Sequence, residues 1–161
     1  MKIKVVKGVL FSCLMSLIIG CNTKKAESVA VVIDKEQIKK EIQARENEFA
    51  TGYNSGELKD ISYYADDATT FFQNRAPLVG NDSIVAFLIS DLASNSNKIS
   101  FTTNEVFVSS DGEQVVEVGY YSVADSTNTA INTGNYMSLF VRKDGKYVCL
   151  RDMSASDMPL E

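Results

Sequence analysis

The stretch at residues 99–154, ISFTTNEVFVSSDGEQVVEVGYYSVADSTNTAINTGNYMSLFVRKDGKYVCLRDMS, decides the fold. It falls into four runs rich in β-branched and aromatic residues: ISFTTNEVFV, EQVVEVGYYSVA, INTGNYMSLFVR and KYVCLRDMS. Their period is two, the spacing of a pleated strand whose side chains leave alternately on opposite faces. Asp-Gly supplies the positive φ of a tight hairpin turn, so SSDG at 109–112 and KDG at 143–145 join neighbouring strands. DSTNTA at 125–130 is a longer polar link. Four strands joined in this way form a meander.

Upstream of Ile99 the period lengthens to that of a helix. In DKEQIKKEIQARENEFATGY (34–53), Ile38, Ile42, Phe49 and Tyr53 recur at helical spacing, while Lys and Glu fill the other faces. Asp34, with Gln37 three residues on, makes a capping box, and Gly56 suits a left-handed helix end. ELKDISYYA (57–65) reads as a short second helix carrying Leu58, Ile61 and Tyr64 on one side. Asp66 and Asp67 form a bend into the strand ATTFFQ. A loop with Pro77 and Gly80 precedes a third helix, NDSIVAFLISDLA, begun by Asn81 or Asp82. Helices followed by consecutive hairpin strands predict an α+β domain: a curved antiparallel sheet with three N-terminal helices packed on one face.

The first twenty residues stand apart. Lys2, Lys4 and Lys7 precede the apolar run GVLFSCLMSLII, which is shorter than the roughly 20 residues that span a bilayer. LIIGC, ending at Cys21, resembles the lipobox of bacterial lipoproteins. That resemblance implies cleavage before Cys21, lipidation of its sulfur and acylation of the new amino group. Two or more buried acyl chains hold a protein on a membrane where one is marginal. The expected organisation is a signal peptide at 1–20, lipidated cysteine and tether at 21–33, and a single domain at 34–161. The expected location is the bacterial cell envelope, lipid-anchored to a membrane, with the domain outside the cytoplasm.

Charge and chemistry narrow the function. The 16 basic residues lose Lys2, Lys4 and Lys7 with the signal, leaving 13 against 21 acidic ones, a net of −8. Such a surface is repelled by nucleic acid, so no nucleic-acid partner is expected. The chain has no histidine and three cysteines. Cys13 leaves with the signal and Cys21 carries lipid, so Cys149 has no disulfide partner and reads as a small strand residue. Close-spaced Cys and His for zinc, an acidic calcium loop and a phosphate-cradling glycine loop are all missing from the sequence. No metal or cofactor is expected.

The order of three helices, a strand and a four-stranded meander resembles the cone-shaped fold of nuclear transport factor 2 and ketosteroid isomerase. YNSGELKDISYYADDATTFF, VGNDSIVAFL, GYY, GNYMSLFVRKDGKY and LRD are most similar to the SnoaL-like and DUF4440 branch of that NTF2-like superfamily, over about residues 35–155. The resemblance implies a deep, largely apolar pocket inside the bent sheet. Aligned on the isomerase, the tyrosine position falls at Phe49, the base at Gln73 and the third group at Met137, and none of these can do the isomerase's proton transfer. The cyclases of the superfamily use an Asp/His arrangement, which leaves Asp66, Asp67 or Asp152 here. Adjacent Asp66 and Asp67 point to opposite sides, and Asp152 beside Arg151 reads as a salt-linked rim pair.

The sequence therefore predicts a pocket lined by Phe49, Tyr53, Phe71, Gln73, Tyr120, Met137 and Asp152, apolar and short of proton-transfer groups. It would bind a small apolar or amphipathic molecule without turning it over, in a homodimer paired through the open sheet face. The alternatives are a SnoaL-like isomerase, cyclase or hydrolase using Asp152, and a purely structural dimerisation module.

Overall fold

A computed structural model of the protein describes residues 33–58 and 62–159. The expected signal peptide, Cys21 and most of the tether lie outside the described residues. Val31–Glu161 forms a compact unit of its own.

Its elements, in chain order, are α1 (Lys35–Ser55), β1 (Tyr64–Phe71), β2 (Leu78–Val79), α2 (Asn81–Ser94), β3 (Lys98–Val108), β4 (Gln114–Ala124), β5 (Ala130–Lys143) and β6 (Lys146–Ser156). The sheet order is β2-β1-β6-β5-β4-β3. β3 to β6 form the antiparallel meander read from the sequence. In the 143–146 turn, Asp144 and Gly145 both take positive φ, as that hairpin requires.

Three expectations are corrected. The sheet is mixed, because β1 runs parallel to β6. Tyr64 opens β1 instead of lying on a second helix; the described residues contain two α-helices, and residues 59–61, in the middle of that expected helix, lie outside the description. Asp66 and Asp67 are exposed strand residues, in a stretch where five steps along β1 match two along β6. Asp67 there reaches Lys143 at 3.5 Å.

α1 is built as its sequence suggests. Asp34 accepts a hydrogen bond from the Gln37 N–H at 3.0 Å, and Gly56 ends the helix at φ 79°. The buried stripe continues through Ile38, Ile42, Glu46, Phe49 and Tyr53. α2 starts after Gly80, whose φ of 86° has no side-chain cap to assist it, so neither Asn81 nor Asp82 is the N-cap.

α1 also closes one border of the sheet. β3 is an edge strand, and an open edge invites pairing with other chains. Gln43 donates to the Phe101 carbonyl at 3.2 Å and accepts from the Thr103 N–H at 2.8 Å. Asn54 does the same for both backbone groups of Ile99, at 2.9 and 2.8 Å, and Lys39 donates to the Asn104 carbonyl at 2.6 Å. Amide side chains thus satisfy donors and acceptors that another strand would otherwise seek. The same bonds hold α1 across the sheet, with Phe49 facing Phe101 at 5.8 Å.

Candidate functional site: a cavity with aromatic walls and a carboxylate floor

Two cross-strand pairings open the space beneath the helices. Gly119 on β4 lies opposite Tyr136 on β5, and Gly134 on β5 lies opposite Tyr121 on β4. Each tyrosine ring lies over its glycine where a Cβ would stand. A side chain at Gly119 would come within 2.5 Å of the Tyr136 oxygen. Glycine at these points lets large rings lie flat on the sheet instead of standing up to fill the cup.

What remains is a cavity of about 370 Å³. α1 contributes Phe49 and Tyr53, α2 contributes Phe87 and Asp91, and β3 contributes Phe101. Phe49 stacks on Tyr63 at 4.5 Å, and Tyr63 meets Tyr64 edge to face at 4.8 Å. At the 72–75 turn the Arg75 guanidinium lies 4.1 Å from the centre of the Phe87 ring.

Carboxyls lie beneath these rings. Glu46 on α1 and Glu117 on β4 are buried, at 1 % and 0 % exposure, and lie near enough for the charge of one to act on the other, while Glu117 Oε2 has no hydrogen-bond partner. The Tyr63 hydroxyl donates to Glu46 at 2.5 Å; Tyr136 and Thr103 donate to Glu117 at 2.8 and 2.6 Å. Loss of water raises the affinity of both acids for a proton, and Glu117 pushes Glu46 further up. The pair therefore retains a proton well above the usual carboxylate range. Asp152, on β6, receives the Tyr64 hydroxyl at 3.0 Å and is also raised by desolvation. Its Oδ1 is sealed and has no hydrogen-bond partner. On the far wall Tyr53 donates to Asp91 at 2.5 Å.

Of the seven pocket residues read from the sequence, the structure brings four to the cavity: Phe49, Tyr53, Gln73 and Asp152. Gln73 stands at its edge, where its carbonyl accepts from the Ser156 N–H. Phe71, Tyr120 and Met137 lie on the opposite face of the sheet, 41 %, 53 % and 46 % exposed. Each is one residue from an inward neighbour (Thr70 or Phe72, Tyr121, Tyr136 or Ser138), and a single step along a strand reverses the face. Arg151 and Asp152 do not form the expected pair. Arg151 donates to the Asp67 and Leu150 carbonyls, while Asp152 turns inward to Tyr64. Cys149 is fully buried, and desolvation raises its thiol far from reactivity.

The expectation of a cup short of proton-transfer groups is overturned. Glu46, Glu117, Tyr63, Tyr64 and Tyr136 were missed as site residues. Glu46 carried a signal, since a glutamate at i+4 from Ile42 and i−3 from Phe49 interrupts an apolar stripe. Glu117 shares a face with Val115 and Tyr121, but the alternate face (Val116, Val118, Tyr120) is the more apolar and conceals it. Among the described residues no group of three or more Asp, Glu or Cys is arranged to hold a metal ion.

A six-stranded curved sheet, partly covered by helices and enclosing a cavity, defines a class of cup-shaped α+β domain. No family model and no curated protein matches the chain. Solved structures do. An NTF2-like protein with a cystatin-like fold from Novosphingobium aromaticivorans is 16 % identical, with a TM-score of 0.64 over 74 % of this chain and 82 % of that one. A protein from Catenulispora acidiphila in complex with S-DNPA matches at 16 % identity and TM-score 0.64, over 76 % and 95 %. A ketosteroid isomerase-like protein from Erwinia carotovora atroseptica matches at 16 % and 0.59, over 74 % and 96 %. The chain has the NTF2-like, cystatin-like fold.

Proposed function

We propose that the protein is a membrane-tethered bacterial lipoprotein of the SnoaL-like/DUF4440 branch whose NTF2-like domain binds a small, largely apolar or amphipathic molecule. The observation that carries the reading is the cavity of about 370 Å³ with aromatic walls. It falls in the roughly 300–1,000 Å³ range of small-molecule sites. Phe49, Tyr53, Phe101 and Phe87 supply apolar surface, and the buried acids fix orientation. The tether reading is supported by residues 1–21, whose basic start, short apolar run and Cys21 resemble a lipoprotein signal, and it has the domain outside the cytoplasm. The homodimer reading rests on the open sheet face, where Phe71, Met153 and Met137 stand side by side across β1, β6 and β5. These three, with Phe107 and Tyr120, are exposed apolar residues of the kind a second copy would cover.

The test is native mass spectrometry of the Val31–Glu161 unit, gently isolated and then denatured. A released small molecule, displaced when Phe49→Trp fills the cavity, supports binding. A ligand-free protein whose melting temperature ignores a panel of apolar and amphipathic metabolites sinks it. Met137→Lys with Met153→Lys is expected to yield a monomer in the same spectra, and Cys21→Ser to abolish lipid labelling of the full chain.

One observation favours a second reading, an enzyme. Asp152 combines a raised proton affinity, a tyrosine partner and a place on a cavity wall, which is the setting of a general acid or base. Turnover lost in Asp152→Asn and kept in Gln73→Ala would establish it over simple binding.

A further inference from the structure

The hydrogen-bonding groups of the cavity are unbalanced. A tyrosine has one proton to give. Tyr53, Tyr63, Tyr64 and Tyr136 have each given theirs to a protein carboxylate: Asp91, Glu46, Asp152 and Glu117 respectively. What these residues still offer is lone pairs. The hydroxyls of Thr70, Tyr121, Ser138 and Ser154 on the lining can donate or accept, whereas the charged or amide donors, Gln73 and Arg75, are exposed, and Arg75 already lies on the Phe87 ring. Three cavity carboxyls (Glu46, Asp91 and Asp152) thus face one guanidinium, and none of them takes part in an ion pair among the described residues. Asp152 Oδ1, buried and unpartnered, is an acceptor waiting for a donor.

We propose that the cavity selects an organic amine, an ammonium head on an apolar body, with the head directed to Asp152 and Glu46 and the body against Phe49 and Phe101. This rests on the small-molecule reading of the cavity and names its ligand class. An ammonium brings up to three donors and no acceptor, the complement of this lining. Aromatic faces beside the head attract a desolvated cation, and Phe49 and Phe101 stand 5.8 Å apart at tilted planes. A carboxylate ligand would add lone pairs where they are already in excess.

The same arrangement makes binding depend on pH. Asp152 is faced by Tyr64 and Thr70 from β1, by Cys149 on its own strand and by Glu46 from α1; behind Glu46 lie Glu117 on β4 and Tyr63 in the turn before β1. None of these is a cation, so burial leaves the free acids protonated beyond their ordinary range. A bound ammonium reverses that preference and expels a proton. Amine affinity therefore rises from pH 5 to pH 8.

The experiment is calorimetric titration of the protein, and in parallel of its compact unit Val31–Glu161, with three probes of equal length: 4-phenylbutylamine, 4-phenylbutan-1-ol and 4-phenylbutyrate. At pH 8 the amine is expected to bind about tenfold more tightly than either other probe, the increment of one charge-assisted hydrogen bond. The advantage shrinks toward pH 5. Asp152→Asn removes the preference and keeps alcohol binding; Glu46→Gln does the same in part and serves if Asp152→Asn fails to fold. Alcohol or carboxylate binding as tight as the amine overturns the inference and leaves the small-molecule reading standing. No binding by any probe at millimolar concentration overturns both.

Discussion

Gly119→Ala tests whether the flat-lying Tyr136 builds the cavity floor. The new methyl would stand 2.5 Å from the Tyr136 oxygen and 2.6 Å from the Thr102 carbonyl oxygen. Carbon contacts are comfortable at about 3.5–4.0 Å, so neighbours must yield by about 1 Å. One of them is backbone of β3, laddered to β4 and tied to α1 through Gln43. The other is a ring whose hydroxyl is committed to Glu117. Overpacking of this kind costs about 1–3 kcal/mol, against which removing a strand glycine returns about 0.5–1 kcal/mol. A net loss of about 1.5 kcal/mol is expected, or about 5 °C in melting temperature for a domain of this size. Urea unfolding followed by circular dichroism measures it. Combined with Tyr136→Ser, which removes the ring, the cost of Gly119→Ala should fall by more than half. If Gly119→Ala lies within about 0.5 kcal/mol of the parent, or if the two changes add, the ring does not occupy the glycine's space and the account of the floor is wrong.

Stability should fall as pH rises above the ordinary carboxylate range. Unfolded Asp and Glu titrate at about 3.9 and 4.3, whereas Asp152, Glu46 and Glu117 are raised in the fold; the folded state binds the extra protons, and that contribution is complete below about pH 4 and lost as pH climbs through the raised values. Asp111 and Asp125, lowered by local hydrogen bonds, act in the opposite sense, losing their contribution only as pH falls below about 4. The urea midpoint should therefore drop from pH 5 to pH 8, with a flatter slope in Glu46→Gln; an unchanged slope would show that Glu46 carries no buried proton. Gln43→Ala unpairs two edge groups of β3 and should cost about 1–3 kcal/mol, with faster aggregation on mild heating; Asn54→Ala should behave alike, and a loss under about 0.3 kcal/mol in both would mean that water serves the edge as well. Phe49→Ala removes the ring shared by Tyr63, Tyr64 and Phe101 and should cost about 3–5 kcal/mol, read from the same denaturation curves.

Local chemistry made most elements legible. Asp34 and Gly56 bound α1 because caps act within a turn of themselves, and Asp-Gly at 144–145 sets its hairpin through its own backbone. The failures were non-local. Nothing within ELKDISYYA announces that Tyr64 pairs in parallel with Cys149 at the far end of the chain, so a strand residue read as a helical one. The inward parity expected for β4 and β5 comes from the isomerase alignment, one residue out of register, and hydrophobicity does not correct it because both alternations are apolar. Val116, Val118 and Tyr120 out-compete Val115, Glu117 and Gly119 in hydrophobicity, as Met137 and Leu139 out-compete Tyr136 and Ser138. The usual inference, that the greasier face is the core, fails when the outer face is itself apolar and the inner one carries a site.

That inversion bears on what the cavity is for. A core glutamate pair costs more in desolvation than a well-packed pair of leucines would, even with Tyr63 donating to Glu46, and Tyr136 and Thr103 to Glu117. Glu46 breaks an apolar stripe, Glu117 displaces a possible valine beneath it, and two glycines forgo side chains so that Tyr136 and Tyr121 can lie flat. Each choice weakens the fold locally, and all converge on one volume. Elsewhere the same chain obeys the rules closely, with capped α1, Asp-Gly hairpins and an edge strand closed by amides. Local violations gathered at one place in an otherwise consistent sequence are the pattern of a site held against stability. Replacing Glu46 and Glu117 together by Met and Val should then raise the melting temperature while weakening amine preference. If the double variant is less stable, the pair is a structural support, and the cavity above it loses its strongest claim to be a site.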